Sequence, residues 1–319
     1  MLPLPDFDLH TPRTVSEAAR LLTELPGARL IAGGTDLLPS MKYGLFEPPA
    51  LIRLSRVRDL DAIEITEDGA AIGAGATLRA VAAHPVLRAR LPALAAACRT
   101  VATPTLQAMG TLGGNVMLDT RCLYYNQSTF WRGALGGCLK CETGGPPLCH
   151  VAPRGKGCYA AHSADTVPVL MLLDAEVELV SVRGRRRLPL AELYGDDGRT
   201  WLNKAPDELL TRLFVPWLPE GARVVHRKLR ARGAIDYPLL LTAVRLDPDG
   251  GRVVLSALGP RPVEIEGVAA AMTARDVEAV ADAAYAQAAP LSTHAWPSTW
   301  RKKMVRVEVR RALAQASSR

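Results

Sequence analysis

Two glycine-containing loops decide how this sequence folds: residues 32–39 read AGGTDLLP, and residues 110–115 read GTLGGN. The first loop follows ARLIA, which predicts a short buried strand, and it leads into a helix-like segment. Glycines at such a junction allow backbone N–H groups to approach a diphosphate. Neither loop matches GxGxxG or ends in GK[ST], so a conventional dinucleotide or triphosphate loop is not predicted. Each loop alone is also compatible with an ordinary tight turn.

Local signals predict both helices and strands along the chain. Thr14 and Glu17 form a capping box, which predicts a helix beginning there. Asp68-Gly69 lies between two apolar runs and predicts a hairpin turn. Cys98 falls within an alanine-rich helical segment, where a small buried thiol is expected. This mixture indicates an α+β fold.

The length of the chain predicts two domains, because 319 residues exceed the usual size of one compact core. Prolines and a glycine around VPWLPEGA mark a boundary in composition. We therefore predict a first domain of residues 1–216 and a second of residues 217–319. An inserted loop at about 118–160 would belong to the first domain.

The composition is that of a globular protein, with 48% hydrophobic and 22% charged residues. No apolar run reaches the roughly 18 residues that a membrane span needs. The start, MLPLPDFDLH, has no signal-peptide pattern, so a cytoplasmic and reducing location is expected. In that compartment clustered cysteines are metal ligands or redox groups before they are disulfides.

The positive charge (net +7) is scattered, with two small concentrations at 183–187 (RGRRR) and 300–311 (WRKKMVRVEVRR). The first predicts an exposed hairpin turn and the second an amphipathic terminal helix. No nucleic-acid-binding module accompanies them, so nucleic acid is not expected as a partner. We interpret both as solvated faces or as contacts with an acidic partner protein.

Five of the six cysteines lie within residues 122–158. Four thiolates suit a [4Fe–4S] cluster, one per iron, and they equally suit a structural zinc ion. Cys138 and Cys141 have the spacing of half a zinc knuckle, whereas Cys149 and Cys158 are too far apart for a standard zinc pair. Spacing alone therefore leaves a cluster and zinc open.

The two glycine loops together resemble those of the FAD-binding subunits of molybdenum hydroxylases. The resemblance continues through HSADTVPVLMLLDAEVEL, HRKLRARGAID and the closing WRKKMVRVEVRRAL, which occur in the order typical of the family. It implies a two-lobed FAD-binding domain followed by a smaller α+β C-terminal domain. In that family the two loops hold FAD from both sides.

The resemblance also assigns roles to particular residues. The first loop would wrap the FAD diphosphate with Ala32, Gly33, Gly34, Thr35, Asp36 and Leu37. The second loop would complete the cradle with Thr111, Gly113, Gly114 and Asn115. Asp165 would accept hydrogen bonds from ribityl or adenosine hydroxyls, and Lys228 would approach the flavin ring. Two structural alternatives stay open: Asp165 as a helix cap and Lys228 as a solvated strand residue.

The cysteine loop resembles one branch of this family, the β subunits of 4-hydroxybenzoyl-CoA reductases. The similar segments are RCLYYNQSTFWR, GGCLK, CHV and CYA, although CETGGPPL makes a longer spacer than is usual there. That branch carries a [4Fe–4S] cluster, and the ligands carried over are Cys122, Cys138, Cys149 and Cys158. Cys141 is surplus and could replace Cys138. The aromatic residues expected to pack the loop and shield the cluster are Tyr124, Tyr125, Phe130 and Trp131.

The branch implies a complex with a large molybdenum-cofactor subunit and a small [2Fe–2S] subunit, as a dimer of heterotrimers. Ferredoxin would donate electrons through the cluster and FAD for reductive dehydroxylation to benzoyl-CoA, and the substrate would bind on a partner subunit. One alternative is the FAD subunit of a conventional hydroxylase with a zinc-stabilised loop and NAD as acceptor. Another is a zinc-binding interaction module on a degenerate flavin fold.

Overall fold

A computed structural model of the chain describes residues 2–141 and 148–318. The long spacer predicted between Cys138 and Cys149 falls largely on residues 142–147 and lies outside the described residues. Elsewhere the chain is a mixture of helices and sheets, which confirms the predicted α+β class.

The first lobe is built on a small parallel sheet. Its strands are β1 (Asp8–His10), β2 (Arg29–Ile31) and β3 (Ala50–Arg53). They are arranged in the order β1-β3-β2, and both pairs are parallel. The loop that contains Gly33 leaves this sheet directly from β2, as the sequence predicts.

The second lobe is built on a five-stranded antiparallel sheet. Its strands are β4 (Ile63–Ile65), β5 (Gly69–Gly73), β6 (Glu176–Ser181), β7 (Gly184–Pro189) and β8 (Leu209–Pro216). The order is β4-β5-β8-β6-β7. The predicted hairpin joins β4 to β5, with Ile63 opposite Ile72, but its turn comprises residues 66–68, and Gly69 is the first residue of β5.

Nine described helices belong to these two lobes, several of them very short. They are α1 (Val15–Glu24), α2 (Leu37–Lys42), α3 (Leu78–Ala83), α4 (Pro85–Arg90), α5 (Pro92–Thr100), α6 (Pro104–Gln107), α7 (Leu112–Val116), α8 (Thr129–Ala134) and α9 (Val167–Leu172). The capping prediction is confirmed, because the backbone N–H of Glu17 donates to the hydroxyl of Thr14 at 3.1 Å. Cys98 is fully buried in α5, as expected.

The C-terminal part forms a four-stranded antiparallel sheet covered by three helices. Its strands are β9 (Arg223–Leu229), β10 (Leu240–Asp247), β11 (Gly250–Ser256) and β12 (Val263–Glu264). Its helices are α10 (Ala269–Thr273), α11 (Val277–Gln287) and α12 (Ser298–Ser317). A separate apolar core of residues between 225 and 316 lies here, while the larger core draws mostly on residues 18–215. The predicted boundary near residue 216 stays a prediction that this division of the core favours.

Many side chains of the two basic segments form ion pairs within the chain, while the RGRRR segment is exposed, as predicted. The predicted hairpin is confirmed, because β7 pairs with β6 from Ser181 opposite Gly184; three of the arginines lie on β7 itself. The ion pairs of the whole segment are Arg183–Asp207, Arg185–Glu178, Arg186–Glu208 and Arg187–Glu176. On α12 the pairs are Arg306–Asp282, Arg310–Glu278 and Arg311–Glu308. Pairing reduces the local field that would attract an acidic partner.

Arg301 of α12 is completely buried, although it belongs to the basic segment. Its guanidinium donates to three backbone carbonyls, those of Leu239 (2.9 Å), Leu291 (3.0 Å) and Ala257 (2.5 Å). Burial lowers the pKa of Arg301 to about 10. This residue is therefore structural and ties α12 to the sheet. Within the described residues no helix is long and apolar enough to cross a membrane.

The buried His162 and the half-buried His226, whose Nε2 is shielded from solvent, predict an acid-dependent loss of stability. Burial lowers the pKa of His162 to about 4 and that of His226 to about 3, from an ordinary value of 6.5. Below pH 6.5 the unfolded chain binds more protons than the folded one, so the free energy of unfolding falls by up to about 1.4 kcal/mol per pH unit for each histidine. Urea unfolding of wild type and His226→Leu between pH 7.5 and 4.5 measures this. The variant should show a shallower pH dependence, and identical slopes would contradict the assignment.

Candidate cofactor sites

One large cleft receives every residue that the sequence assigned to FAD. The cleft has a volume of about 1010 Å³, which is within the range of cofactor and ligand sites. The predicted residues that line it are Ala32, Gly33, Gly34, Thr35, Asp36, Leu37, Thr111, Gly113, Gly114, Asn115, Asp165 and Lys228. The structure thus brings both glycine loops and the two later charged residues together at one place.

The two glycine loops touch each other, and glycine is required for the contact. A Cβ atom built on Gly33 would lie 2.0 Å from the carbonyl oxygen of Met109 and 2.9 Å from the amide nitrogen of Gly110. Gly34 has φ +70°, a conformation that side chains other than glycine adopt at a cost. The loops consequently present backbone, rather than side chains, to the cleft. This is the arrangement that a diphosphate needs.

The polar residues of the second loop are engaged in holding its shape. The hydroxyl of Thr111 accepts from the backbone N–H of Gly114 at 3.0 Å and caps α7. The side-chain oxygen of Asn115 accepts from both the backbone N–H (3.2 Å) and the hydroxyl (2.7 Å) of Thr166. The loop is therefore fixed to the start of α9 before any ligand binds.

Asp36 of the first loop is held by two partners from distant parts of the chain. Arg121 donates to its carboxylate at 2.9 Å, and the hydroxyl of Tyr237 donates at 3.1 Å. Burial raises the pKa of Asp36, and the charge of Arg121 opposes this rise. Because Arg121 directly precedes Cys122, this ion pair connects the FAD loop to the cysteine loop.

Asp165 and Lys228 form a buried ion pair with each other. Lys228 Nζ lies 2.8 Å from Asp165 Oδ1, and only 3% and 5% of the two side chains are exposed. Thr100 contacts both, donating its hydroxyl to Asp165 (2.9 Å) and accepting from Lys228 through its carbonyl (3.0 Å). Burial raises the pKa of Asp165, which Lys228 counteracts. The alternative of a solvated Lys228 is wrong, and α9 has no side-chain cap from Asp165.

Two polar groups that the sequence did not single out also face the cleft. The hydroxyl of Ser163 and the indole N–H of Trp201 are buried, line the cleft, and have no hydrogen-bond partner among the described residues. A buried unsatisfied group in the wall of a cleft is available to hydrogen-bond a ligand there. Ser163 could have been found, because it stands two residues before Asp165, whereas Trp201 carried no local signal. The cleft, its exposed backbone and these groups together fit FAD.

The four predicted cluster ligands line one second, smaller cavity. Cys122, Cys138, Cys149 and Cys158 all contribute to its wall, together with Tyr125 and Lys140. The cavity has a volume of about 20 Å³ with the thiols as they stand, so a cluster would require the side chains to turn outward. Within residues 2–141 and 148–318, no three His, Cys, Asp or Glu side chains converge closely enough to hold a single metal ion.

Cys141 differs from the other loop cysteines. Among the described residues that line the small cavity it does not appear, and its sulfur lies 3.1 Å from that of Cys138. This contact lowers the pKa of Cys138 to about 6 and raises that of Cys141. Burial raises the pKa of Cys122, and raises that of Cys158 to about 11. Ligation of a metal by these two thiols must therefore displace protons.

The loop aromatics are divided between packing and exposure. Tyr125 is buried, and Tyr124 stacks on His150 with 5.0 Å between ring centroids. Phe130 is 87% exposed, so the packing prediction is wrong for this residue, whereas Trp131 is 37% exposed and its ring lies 6.3 Å from that of Tyr124. Phe130 and Trp131 both lie on α8, whose buried residue is Arg132.

These features define a flavin-binding protein with a cysteine-lined cavity near the flavin cleft. Residues 5–218 match the family described as the FAD binding domain in molybdopterin dehydrogenase. The chain therefore belongs to the FAD-binding subunits of the molybdenum hydroxylase family, and it is an oxidoreductase subunit.

Relatives match the chain over nearly its whole length. The aldehyde oxidoreductase FAD-binding subunit PaoB of Escherichia coli K12 is 33% identical, over 97% of this chain and 99% of that protein. The carbon monoxide dehydrogenase medium chain of Afipia carboxidovorans is 30% identical, over 98% of this chain and 97% of that protein. The structure of reconstituted CO dehydrogenase from Oligotropha carboxidovorans superposes with a TM-score of 0.80 at 26% identity, covering 99% of both chains.

Proposed function

We propose that this chain is an electron-transfer subunit that carries FAD and one [4Fe–4S] cluster within a molybdenum hydroxylase complex. The observation that carries the proposal is the convergence of Cys122, Cys138, Cys149 and Cys158 on one cavity. The Arg121–Asp36 ion pair joins the segment that bears this cavity to the FAD loop. A single subunit would therefore hold two neighbouring redox centres.

The arrangement of thiols favours a cluster over zinc. A zinc ion takes its sulfur ligands at about 2.3 Å, so its donors must converge on one point. The described residues offer no such group of three, and the cavity would also have to open to admit a cluster, so the argument for a cluster rests on the number of thiolates: a [4Fe–4S] cluster takes one per iron. Four cysteines around a cavity are the donor set that a cluster needs.

The chain supplies binding, orientation and electrostatics to the flavin. When bound, FAD exchanges electrons singly or in pairs, while an iron–sulfur cluster exchanges them singly. The backbone of the loops at Gly33 and Gly113 would hold the diphosphate, and Ser163 would donate to or accept from the cofactor. The Asp165–Lys228 pair would place a fixed cation and a fixed acceptor in the cleft.

Substrate turnover would occur on partner subunits, a large one with the molybdenum cofactor and a small one with [2Fe–2S], in a dimer of heterotrimers. The full-length similarity to an aldehyde oxidoreductase FAD-binding subunit supports an aldehyde as the substrate class. In that case electrons would leave through this chain.

The second candidate is the β subunit of 4-hydroxybenzoyl-CoA reductase. It is favoured by the resemblance of the cysteine loop, and it requires electrons to enter here from ferredoxin for reductive dehydroxylation to benzoyl-CoA. Internal pairing of several arginines in the basic segments reduces the positive charge they offer to an acidic ferredoxin, which weighs against docking there.

Metal and flavin content tests the proposal directly. Anaerobically purified complex should contain about four irons, four acid-labile sulfides and one FAD per copy of this chain, in addition to the iron and sulfide of the small subunit. Zinc in the loop without additional sulfide would overturn the cluster and leave a conventional FAD subunit. Two activity assays separate the candidates. The first measures aldehyde oxidation with an artificial acceptor, and the second measures reduction of 4-hydroxybenzoyl-CoA by a low-potential donor.

Single cysteine variants test which thiols are ligands. Cys122→Ser and Cys158→Ser should lose the additional iron and sulfide, because a serine hydroxyl is a poor ligand for this cluster. Cys141→Ser should retain both, since Cys141 lies outside the cavity wall as described. Retention in Cys158→Ser together with loss in Cys141→Ser would contradict the ligand set.

A further inference from the structure

Lys140 is a buried cation with an unusually full set of partners. Only 7% of its side chain is exposed. Its Nζ donates to the Asp119 carboxylate (2.6 Å), to the hydroxyl (2.6 Å) and the carbonyl (3.2 Å) of Thr120, and to the carbonyl of Gly198 (2.9 Å). A charge held in this way cannot move away on a long flexible stem, so its position is fixed.

The pair formed by Lys140 and Asp119 lies between the two sites. Lys140 lines the cysteine cavity, whereas Asp119 lines the flavin cleft. Lys140 Nζ is 5.0 Å from the ring centroid of Tyr125, in the cavity wall, and 4.8 Å from that of Trp201, in the cleft wall. The ion pair thus stands between the two sites, with Lys140 in the wall of the cysteine cavity and Asp119 in the wall of the flavin cleft.

The electrostatic influence of this pair extends to the FAD loop, and its hydrogen bonds extend to the cysteine cavity. At the FAD loop, Asp119 raises the pKa of Asp36 while Lys140 lowers it. The anchoring also extends to the cavity itself, because Gly198, which accepts from Lys140, donates its backbone N–H to the carbonyl of Cys158 at 2.7 Å.

We propose that the Lys140–Asp119 pair sets the gap in reduction potential between the two redox sites, favouring the electron on the cysteine side. This rests on the proposed function, since it needs a cluster and a flavin. A positive charge stabilises the reduced, more negative form of a nearby centre, and a negative charge destabilises it. Lys140 therefore raises the potential of the cluster, and Asp119 lowers the potential of the flavin. Both effects favour electron flow from flavin to cluster.

Two charge-removing variants test the proposal, because they should shift midpoint potentials in opposite directions. In the anaerobically purified complex, Lys140→Met should lower the midpoint potential of the cluster. The expected size is about tenfold in the equilibrium constant of its one-electron reduction, or about 59 mV. Asp119→Asn should instead raise the flavin potential. The gap between cluster and flavin narrows in both variants, although the potentials move in opposite directions. General loosening of the loop would not give this pattern.

Potentiometric titration followed by EPR for the cluster and by absorbance for the flavin provides the readout. Lys303→Met removes the same charge from the exposed side of α12 and should shift neither potential. Unchanged potentials in both test variants, with both centres present, overturn the inference. If Lys140→Met fails to keep its cluster, the sign of the flavin shift in Asp119→Asn decides alone. Absence of a [4Fe–4S] signal, distinct from that of the [2Fe–2S] subunit, in the wild-type complex would instead defeat the proposed function.

Discussion

Replacing Gly33 by alanine is expected to weaken FAD binding by at least about 100-fold, or roughly 2.7 kcal/mol. The added Cβ would stand 2.0 Å from the carbonyl oxygen of Met109, which belongs to the backbone and has no flexible side chain to move. The two loops must then separate, and the backbone groups that would hold the diphosphate lose their common geometry. Flavin content after purification and titration of the apoprotein with FAD measure the loss.

Gly133→Ala is the matched control for this prediction. Gly133 lies within α8, where a Cβ would meet no atom of the described chain within 4 Å. Alanine is the better helix former by about 1 kcal/mol, so this variant should keep FAD and be no less stable than wild type. Equal FAD affinity in Gly33→Ala and Gly133→Ala would show that the contact between the loops does not shape the cleft.

Replacing Lys228 by methionine is expected to lower the free energy of unfolding by about 3–5 kcal/mol, the usual effect of removing one partner from a buried ion pair. Asp165 would be left buried with Thr100 as its remaining partner, and it would gain a proton rather than keep an uncompensated charge. Urea unfolding of the apoprotein measures this effect separately from the linkage between FAD binding and stability.

The double variant Asp165→Leu with Lys228→Met distinguishes an uncompensated charge from lost packing. Removal of both charges should restore most of the stability, because the desolvation penalty disappears together with the attraction. The double variant should still bind FAD more weakly than wild type, since both residues line the cleft. A double variant as unstable as Lys228→Met would mean that packing of the lysine stem, rather than its charge, stabilises this region.

The sequence predicts the local parts of the site well, because their signals are contiguous. Gly33 and Gly113 mark backbone that must approach another segment, and outside the site Thr14 and Glu17 mark a helix start within four residues. Each of these features depends on neighbours along the chain. The structure therefore agrees with them closely.

Pairings across the chain could not be predicted in the same way. Asp165 and Lys228 each carried a separate expected role, and only the fold shows that they neutralise each other. The arginines of β7 similarly meet acids from other segments. Lys140 stands in a glycine- and cysteine-rich loop, where a solvated lysine is the ordinary expectation, yet the fold buries it. Partner choice of this kind depends on tertiary contacts that no sequence window contains.

The flavin cleft is assembled from segments that are synthesised at very different times. Its lining runs from the Gly33 loop through Ser163 to Lys228 and Tyr237, so more than two thirds of the chain must leave the ribosome before the cleft is complete. Domains generally fold from the N-terminus during synthesis. The first lobe would thus fold while half of the flavin cleft is still missing. FAD would therefore bind near the end of biogenesis rather than at its beginning.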